Sequence, residues 1–289
     1  SGKISFAADR KLDWDIESSD FTLNDFDHLV QLDVPIRGSF YVQSSGEGYT
    51  GAIQSITQLS LTDFSVRGVV KAPTYVRLET VNGGTWVKGK IMGKQGNIDG
   101  YFDDDASKLS FLQAQFDRLD FSPILIFLNP KTNQDRTLEG YISGDAKLKF
   151  RANQWDKLSG SFGISEYVLA KTGSKFNLEY PVDFKVSGGT FDTRRVSIVG
   201  KSGSAELTLK SEDSNLEGKI VGDIDNSLVE FFTPSVGQAS GTSKLDFVLG
   251  GTLSHPSIFG RLGLEGGSVR LPSLDTSLEN ITGNLRLNQ

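Results

Sequence analysis

The sequence predicts an all-β chain. Apolar and polar residues alternate along most of its 289 positions, glycine or turn-forming clusters interrupt that alternation at short intervals, and only three brief segments carry helical spacing. Alternation with a period of two places every second side chain on one face of a strand. Half-apolar strands of this kind belong to antiparallel sheets rather than to parallel sheets buried on both sides.

Along the chain, Leu12, Trp14 and Ile16 form the first clear run, and Ala146, Leu148, Phe150 and Ala152 a later one. The longest is FNLEYPVDFKV, in which Phe176, Leu178, Tyr180, Val182, Phe184 and Val186 alternate against Asn177, Glu179, Pro181, Asp183 and Lys185. As one strand it would carry an apolar stripe roughly 35 Å long. Ala205, Leu207 and Leu209 follow, then Leu245, Phe247 and Leu249, and finally Ile281, Gly283, Leu285 and Leu287. Gly83-Gly84, Asp103-Asp104-Asp105, Gly188-Gly189, Gly250-Gly251 and Gly266-Gly267 read as turns between strands. The spacing predicts on the order of 18 to 22 strands.

The three helical segments are short. LNDFDHLVQL brings Phe26, Leu29 and Val30 to one face behind Asn24 as cap; FSPILIFLNP offers Ser122 as N-cap and Pro123 at the first helical position; DNSLVEFFTP offers Asp225 or Asn226 as cap. Helices this few cannot cover the apolar faces of some twenty strands.

They do mark a repeat. SPILIFLNP aligns with NSLVEFFTP, and GDAKLKF (Gly144 to Phe150) matches GTSKLDF (Gly241 to Phe247) at a shift of 97 residues. SFGI from Ser161 matches RLGL from Arg261 at a shift of 100, and the first helix with IRGSFYV (Ile36 to Val42) opens a weaker copy. The expected units are 21–115, 116–217 and 218–289, each a short helix followed by a strand meander, the last cut short within one elongated β fragment spanning 1–289. Units that cannot bury their own faces stack into an extended array. Ser1-Gly2 reads as the remnant of a tag, and the chain as part of a longer protein.

Composition excludes several function classes. A formal net charge of −6 disfavours nucleic acid, which needs clustered cations. With no cysteine there is no disulfide framework, thiolate metal site or cysteine nucleophile. His28 and His255 stand alone, so no cofactor and no metal is expected. The Asp103–Asp105 run lacks the alternating ligands of a calcium loop and reads as a solvated turn. Gly200-Lys201-Ser202 resembles the end of a phosphate loop, but Arg195 stands where its first glycine belongs. Asn280-Ile281-Thr282 is a sequon at chance level. No pair stands out among 36 acidic residues, so no catalytic constellation emerges and a non-enzyme is expected.

The segment KLDFVLGGTLSHPSIFGRLGLEGGSVRLPSLDTSLENITGNLRL has a rhythm: a strand, GGTL, a proline turn, G-x-L-x-L-x-G-G, a strand ending RLP, then L-x-x-I-x-G-x-L-x-L. It resembles the TamB branch of the AsmA-like proteins of diderm bacteria, most specifically over residues 241 to 289, and GDAKLKFRANQWDKLSGSFGISEYVLA follows a looser version. The resemblance implies a bridge-like lipid-transfer protein: an elongated, curved, mainly antiparallel sheet folded as a half-pipe or taco-like groove with an apolar concave face. It implies a periplasmic segment of a parent anchored in the inner membrane, conducting phospholipid toward the outer membrane with an Omp85-type outer-membrane partner.

On that reading the groove is lined by Phe150, Phe162 and Ile164, by Phe176, Leu178, Tyr180, Val182, Phe184 and Val186, and by Leu207 and Leu209. Leu245, Phe247 and Leu249, Leu262 and Leu264, and Leu285 and Leu287 continue it. Two other closures stay open: an assembly module that receives outer-membrane β-barrel client strands by β-augmentation, and a closed sandwich or solenoid whose stripes are core.

Overall fold

The structure, a computed structural model, describes residues 2–6, 11–22, 36–49, 52–66, 68–81, 83–128, 138–154, 157–171, 173–212, 215–228, 236, 238–252, 255–271 and 276–288. Among them, twenty strands hydrogen-bond as one antiparallel sheet, accompanied by a short helix and a 3-10 turn. The all-β class expected from the alternation is the class observed. Contacts divide the chain into two units, Ser1–Leu119 with Asp145–Gly160, and Asp120–Gly144 with Ser161–Gln289.

The first unit is a meander. Its strands are β1 (Gly2–Phe6), β2 (Leu12–Thr22), β3 (Ile36–Tyr49), β4 (Ala52–Val66), β5 (Val69–Val70) and β6 (Thr74–Thr80). They continue through β7 (Gly84–Ile91), β8 (Gly96–Asp103), β9 (Ser110–Asp120) and the second half of β10 (Glu139–Phe150). Each strand from β1 to β4 pairs with the next, β4 receives both β5 and β6, and the ladder then runs on to β9. The Asp103–Asp105 run is a turn, as expected. Asp103 Oδ1 accepts from the Asp105 amide and Asp105 Oδ1 from the Ser107 amide, each at 3.0 Å. Ala152, by contrast, lies in the turn after β10 rather than on its face.

The second unit holds the helix α1 (Ser122–Leu128), the first half of β10, β11 (Ser159–Lys171), β12 (Ser174–Leu178), β13 (Val182–Ser187), β14 (Thr190–Asp192) and β15 (Val196–Val199). β16 (Ser204–Glu212), β17 (Asn215–Asp225), β18 (Gln238–Gly251), β19 (Pro256–Leu271) and β20 (Thr276–Asn288) complete it as a meander.

FNLEYPVDFKV is not the single strand its alternation predicts. It forms β12 and β13, separated by a break at 179–181. Pro181 has no amide to give a ladder, so the hydrogen-bond row stops there. A second break at 193–195 separates β14 from β15; β13 pairs with β14 and β12 with β15, so the two interruptions face each other. Gly266-Gly267 is likewise no turn. It is an irregularity inside β19, where the register with β20 shifts between Leu264 and Val269 and Gly266 adopts a φ of 62°.

The first expected helix lies outside the described residues. In the second, the amides of Ile124 and Leu125 bond the Phe121 carbonyl, so Phe121 rather than Ser122 is the capping position. Asp120 accepts from the Ser122 amide at 2.9 Å. The third begins as a 3-10 turn, Asn226–Leu228, with Asp225 accepting from the Ser227 amide at 3.0 Å; its remainder lies outside the described residues. The same Asp-x-Ser start therefore precedes both segments.

Candidate functional site

In the first unit, strand register turns single-strand alternation into rows that cross the sheet. Val42 faces Leu59, Leu59 faces Val76, Val76 faces Gly89, Gly89 faces Ile98 and Ile98 faces Ala114. A neighbouring row runs through Ile16, Ser44, Thr57, Leu78, Val87, Gly100 and Leu112. Neither row carries a charge.

Its hydroxyls are spent on one another. Trp14 Nε1 donates to Ser44 Oγ at 3.1 Å, Ser44 Oγ meets Thr57 Oγ1 at 2.8 Å, and Thr80 Oγ1 meets Thr85 Oγ1 at 3.0 Å. Pairing within the face leaves methyl and methylene groups as what it offers a neighbour.

Burial distinguishes this face from a packed interior. Val42, Leu59, Val76, Leu78, Val87 and Ile98 are all half-buried. Among the described apolar residues of this unit, only Val66 and Phe150 fall into the core, at 2% and 5% exposure. An inner face of a sandwich would bury most such side chains against a second layer.

The second unit has the same construction. Ile198 faces Ala205, and the row continues through Gly222, Leu245, Leu262 and Leu285. Beside it run Val196, Leu207, Ile220, Phe247, Gly260 and Leu287. A third row joins Leu209, Gly218, Leu249 and Ile258. Leu264 stands opposite Ser243 and Gly283, and Leu178 opposite Ile198. The expected lining residues of these strands thus share one face. Here more residues are packed: Val168, Leu169, Phe176, Val182, Val186 and Phe247 are buried, while Leu285 is half exposed.

The remaining expected positions separate. Phe162 of β11 stacks on Phe184 of β13, and half-buried Ile164 lies on β11 with Phe162. In the first unit, Phe150 meets Phe102 edge-on at 5.8 Å. Tyr180 leaves the stripe altogether, with 62% of its surface exposed. It sits in the break before Pro181. The Ser197 hydroxyl and then the Tyr180 hydroxyl hydrogen-bond Glu179, holding that carboxyl below its ordinary range.

Gly200, singled out in the failed phosphate-loop match, has a packing role. Its amide donates to the Gly203 carbonyl at 2.8 Å, closing the turn between β15 and β16. A Cβ there would lie 2.7 Å from the Phe176 ring. His28 is outside the described residues, and His255 lies in the turn before β19. Among the described residues no three His, Cys, Asp or Glu side chains gather as metal ligands, and no helix is long and apolar enough to cross a membrane.

Compared with known protein families, with curated proteins and with solved structures, the chain matches none. Its functional reading therefore rests on the geometry of its own faces.

A cleft of about 880 Å³ in the first unit is lined by residues of both phases of β3 to β10, the polar-phase residues flanking Leu59, Val76, Gly89, Ile98 and Ala114 of the first row. Alternation in a single strand gives no sign of it, because its walls come from seven strands.

Proposed function

We propose that this chain is a lipid-conducting segment whose apolar sheet face holds the hydrocarbon of phospholipids, in the manner of the periplasmic TamB-like proteins that its C-terminal rhythm resembles. The observation that carries the proposal is the pair of uncharged rows across β2 to β9, half-buried except at the buried Gly100 and with the Ser44 and Thr57 hydroxyls paired with each other.

Removing acyl methylenes from water releases about 0.8 kcal/mol each. A row without charges or unpaired donors has nothing that fixes a tail at one place, so a tail can move along it. Charged residues on the other phase, among them Asp13, Asp15, Arg77, Lys88 and Asp99, keep that side in water. In the cell the segment would work between the inner and outer membranes, with an Omp85-type partner and with the parent protein supplying the anchor.

The test is native mass spectrometry of the purified chain with organic extraction of its lipid. Phospholipid should co-purify with the wild type, and Leu59→Asp should lower the load while the circular dichroism spectrum is kept. A folded wild-type chain that takes up no phospholipid from detergent or vesicles would end the proposal.

A further inference from the structure

The polar phase of the first unit breaks the rule that its own alternation sets. Trp86 faces Tyr101, and Tyr101 faces Phe111, all on the side that carries charges. Trp86 is 44% exposed, and its ring lies 4.9 Å from that of Tyr101 and 5.8 Å from that of Phe111. The Tyr101 hydroxyl donates to Asp103 at 3.2 Å, and its ring lies over Gly84, where a Cβ would come within 2.6 Å of it. This is an ordered aromatic platform on a solvent face.

The next row along the strands is hydrophilic: Gln58, Arg77, Lys88, Asp99 and Gln113 face one another in sequence across β4 to β9. The row after that joins Ser60, Tyr75, Lys90, Asn97 and Gln115. Both rows line the 880 Å³ cleft, with Tyr41 from β3 and Asp145 and Lys147 from β10. Four cations, Arg77, Lys88, Lys90 and Lys147, outnumber two carboxylates in a chain whose net charge is −6.

We propose that this face binds an acidic glycan. The amide and cation side chains of the two rows point to a polar, charged ligand, and the apolar part of the lining, with Leu59, Val76, Ile98, Ala114 and Ala146, to one that also presents C–H surface. Seven strands contribute, so the cleft runs through six inter-strand steps, roughly 29 Å. That suits a linear oligomer rather than a single headgroup. Planar amides of Gln58, Asn97, Gln113 and Gln115 supply the paired donors and acceptors that vicinal hydroxyls need. The aromatic platform offers a flat surface to the C–H face of a pyranose ring. The cation excess selects a ligand with carboxylates. A protein partner fits less well, because lysine is depleted at the centres of protein interfaces. The amide and cation rows belong to the phase opposite the lipid rows, and the cleft lining also includes Leu59, Val76, Gly89, Ile98 and Ala114 of the first of those rows.

The experiment is isothermal titration calorimetry of the intact chain with hexagalacturonate, with neutral maltohexaose and with phosphatidylglycerol vesicles, alongside Trp86→Ala and the double variant Lys88→Glu/Lys90→Glu. Lys210→Glu, on β16 of the other unit, is the control. Saturable binding of hexagalacturonate that weakens with salt is expected, about tenfold or more weaker in the double variant and unchanged in the control. Unfolding midpoints equal to wild type would show that the variants are folded. Absence of saturable binding, equal binding of the neutral hexamer, wild-type affinity in the double variant, or heat with vesicles alone would each overturn the proposal.

Discussion

Phe162 stacks on Phe184 with ring centroids 5.0 Å apart and planes 15° from parallel. The two rings come from β11 and β13, so the contact ties a long strand to the second half of a broken one. Phe184 also approaches Phe191 at 6.5 Å. Such pairs add about 0.5–1.5 kcal/mol beyond the area they bury. A double-mutant cycle of Phe162→Ala and Phe184→Ala in urea should return a coupling of that size. Additive losses would show that the rings merely fill space.

Much of this was legible in the sequence, for a definable reason. Strand periodicity needs only neighbouring residues, so the shared face of Leu245, Phe247 and Leu249 could be read from β18 alone. What crossed strands could not be read. Trp86 is an ordinary outward residue in GTWVKGKI, and its meaning comes only from Tyr101 and Phe111 on the next two strands. Alternation is blind to a missing amide, so it carries Tyr180 in one stripe with its neighbours, whereas Pro181 ends the ladder and leaves Tyr180 in the break between β12 and β13. The cap of the second helical segment lies one residue before Ser122, at Phe121, whereas in the third Asp225, one of the two caps the sequence offers, accepts from the Ser227 amide.

Adjacent residues on β19 separate the lipid reading from simple surface charge. Leu262 faces Leu245 and Leu285, whereas Arg261 faces Asp246 and reaches its carboxylate at 3.4 Å. Leu262→Asp should reduce co-purified phospholipid several-fold by lipid extraction. Arg261→Asp should leave the load at the wild-type level, because it changes the other face. Equal losses would tie lipid uptake to net charge instead of to the apolar rows.

Gly200 should tolerate no side chain. A valine there meets the Phe176 ring, which is 2% exposed and has no room to withdraw. Overpacking of this kind costs about 1–3 kcal/mol. Gly283→Ala is the contrast, since a Cβ at that position meets nothing within 4 Å; its effect should stay within about 0.5 kcal/mol. Urea midpoints of the two variants check both.

The Asp225 carboxylate makes stability depend on pH. It is 8% exposed, and burial by itself would raise its pKa. The hydrogen bonds from Ser227 and Ser202 and the charge of Lys201 outweigh burial and hold the pKa below the ordinary 3.8. A depressed folded-state pKa means that the unfolded chain takes up the proton first as acid is added. The stabilisation is therefore complete above the ordinary value and disappears as the pH falls through the folded-state one. Asp225→Asn keeps a capping oxygen at the start of the Asn226–Leu228 turn but removes its charge, and should lower the stability at neutral pH by about 1 kcal/mol, the difference between hydrogen bonds to a charged and to a neutral acceptor. The gap from wild type should close as the pH drops below the carboxylate range. A gap that persists unchanged to the lowest pH would assign the loss to shape at the turn and remove the charge from the account.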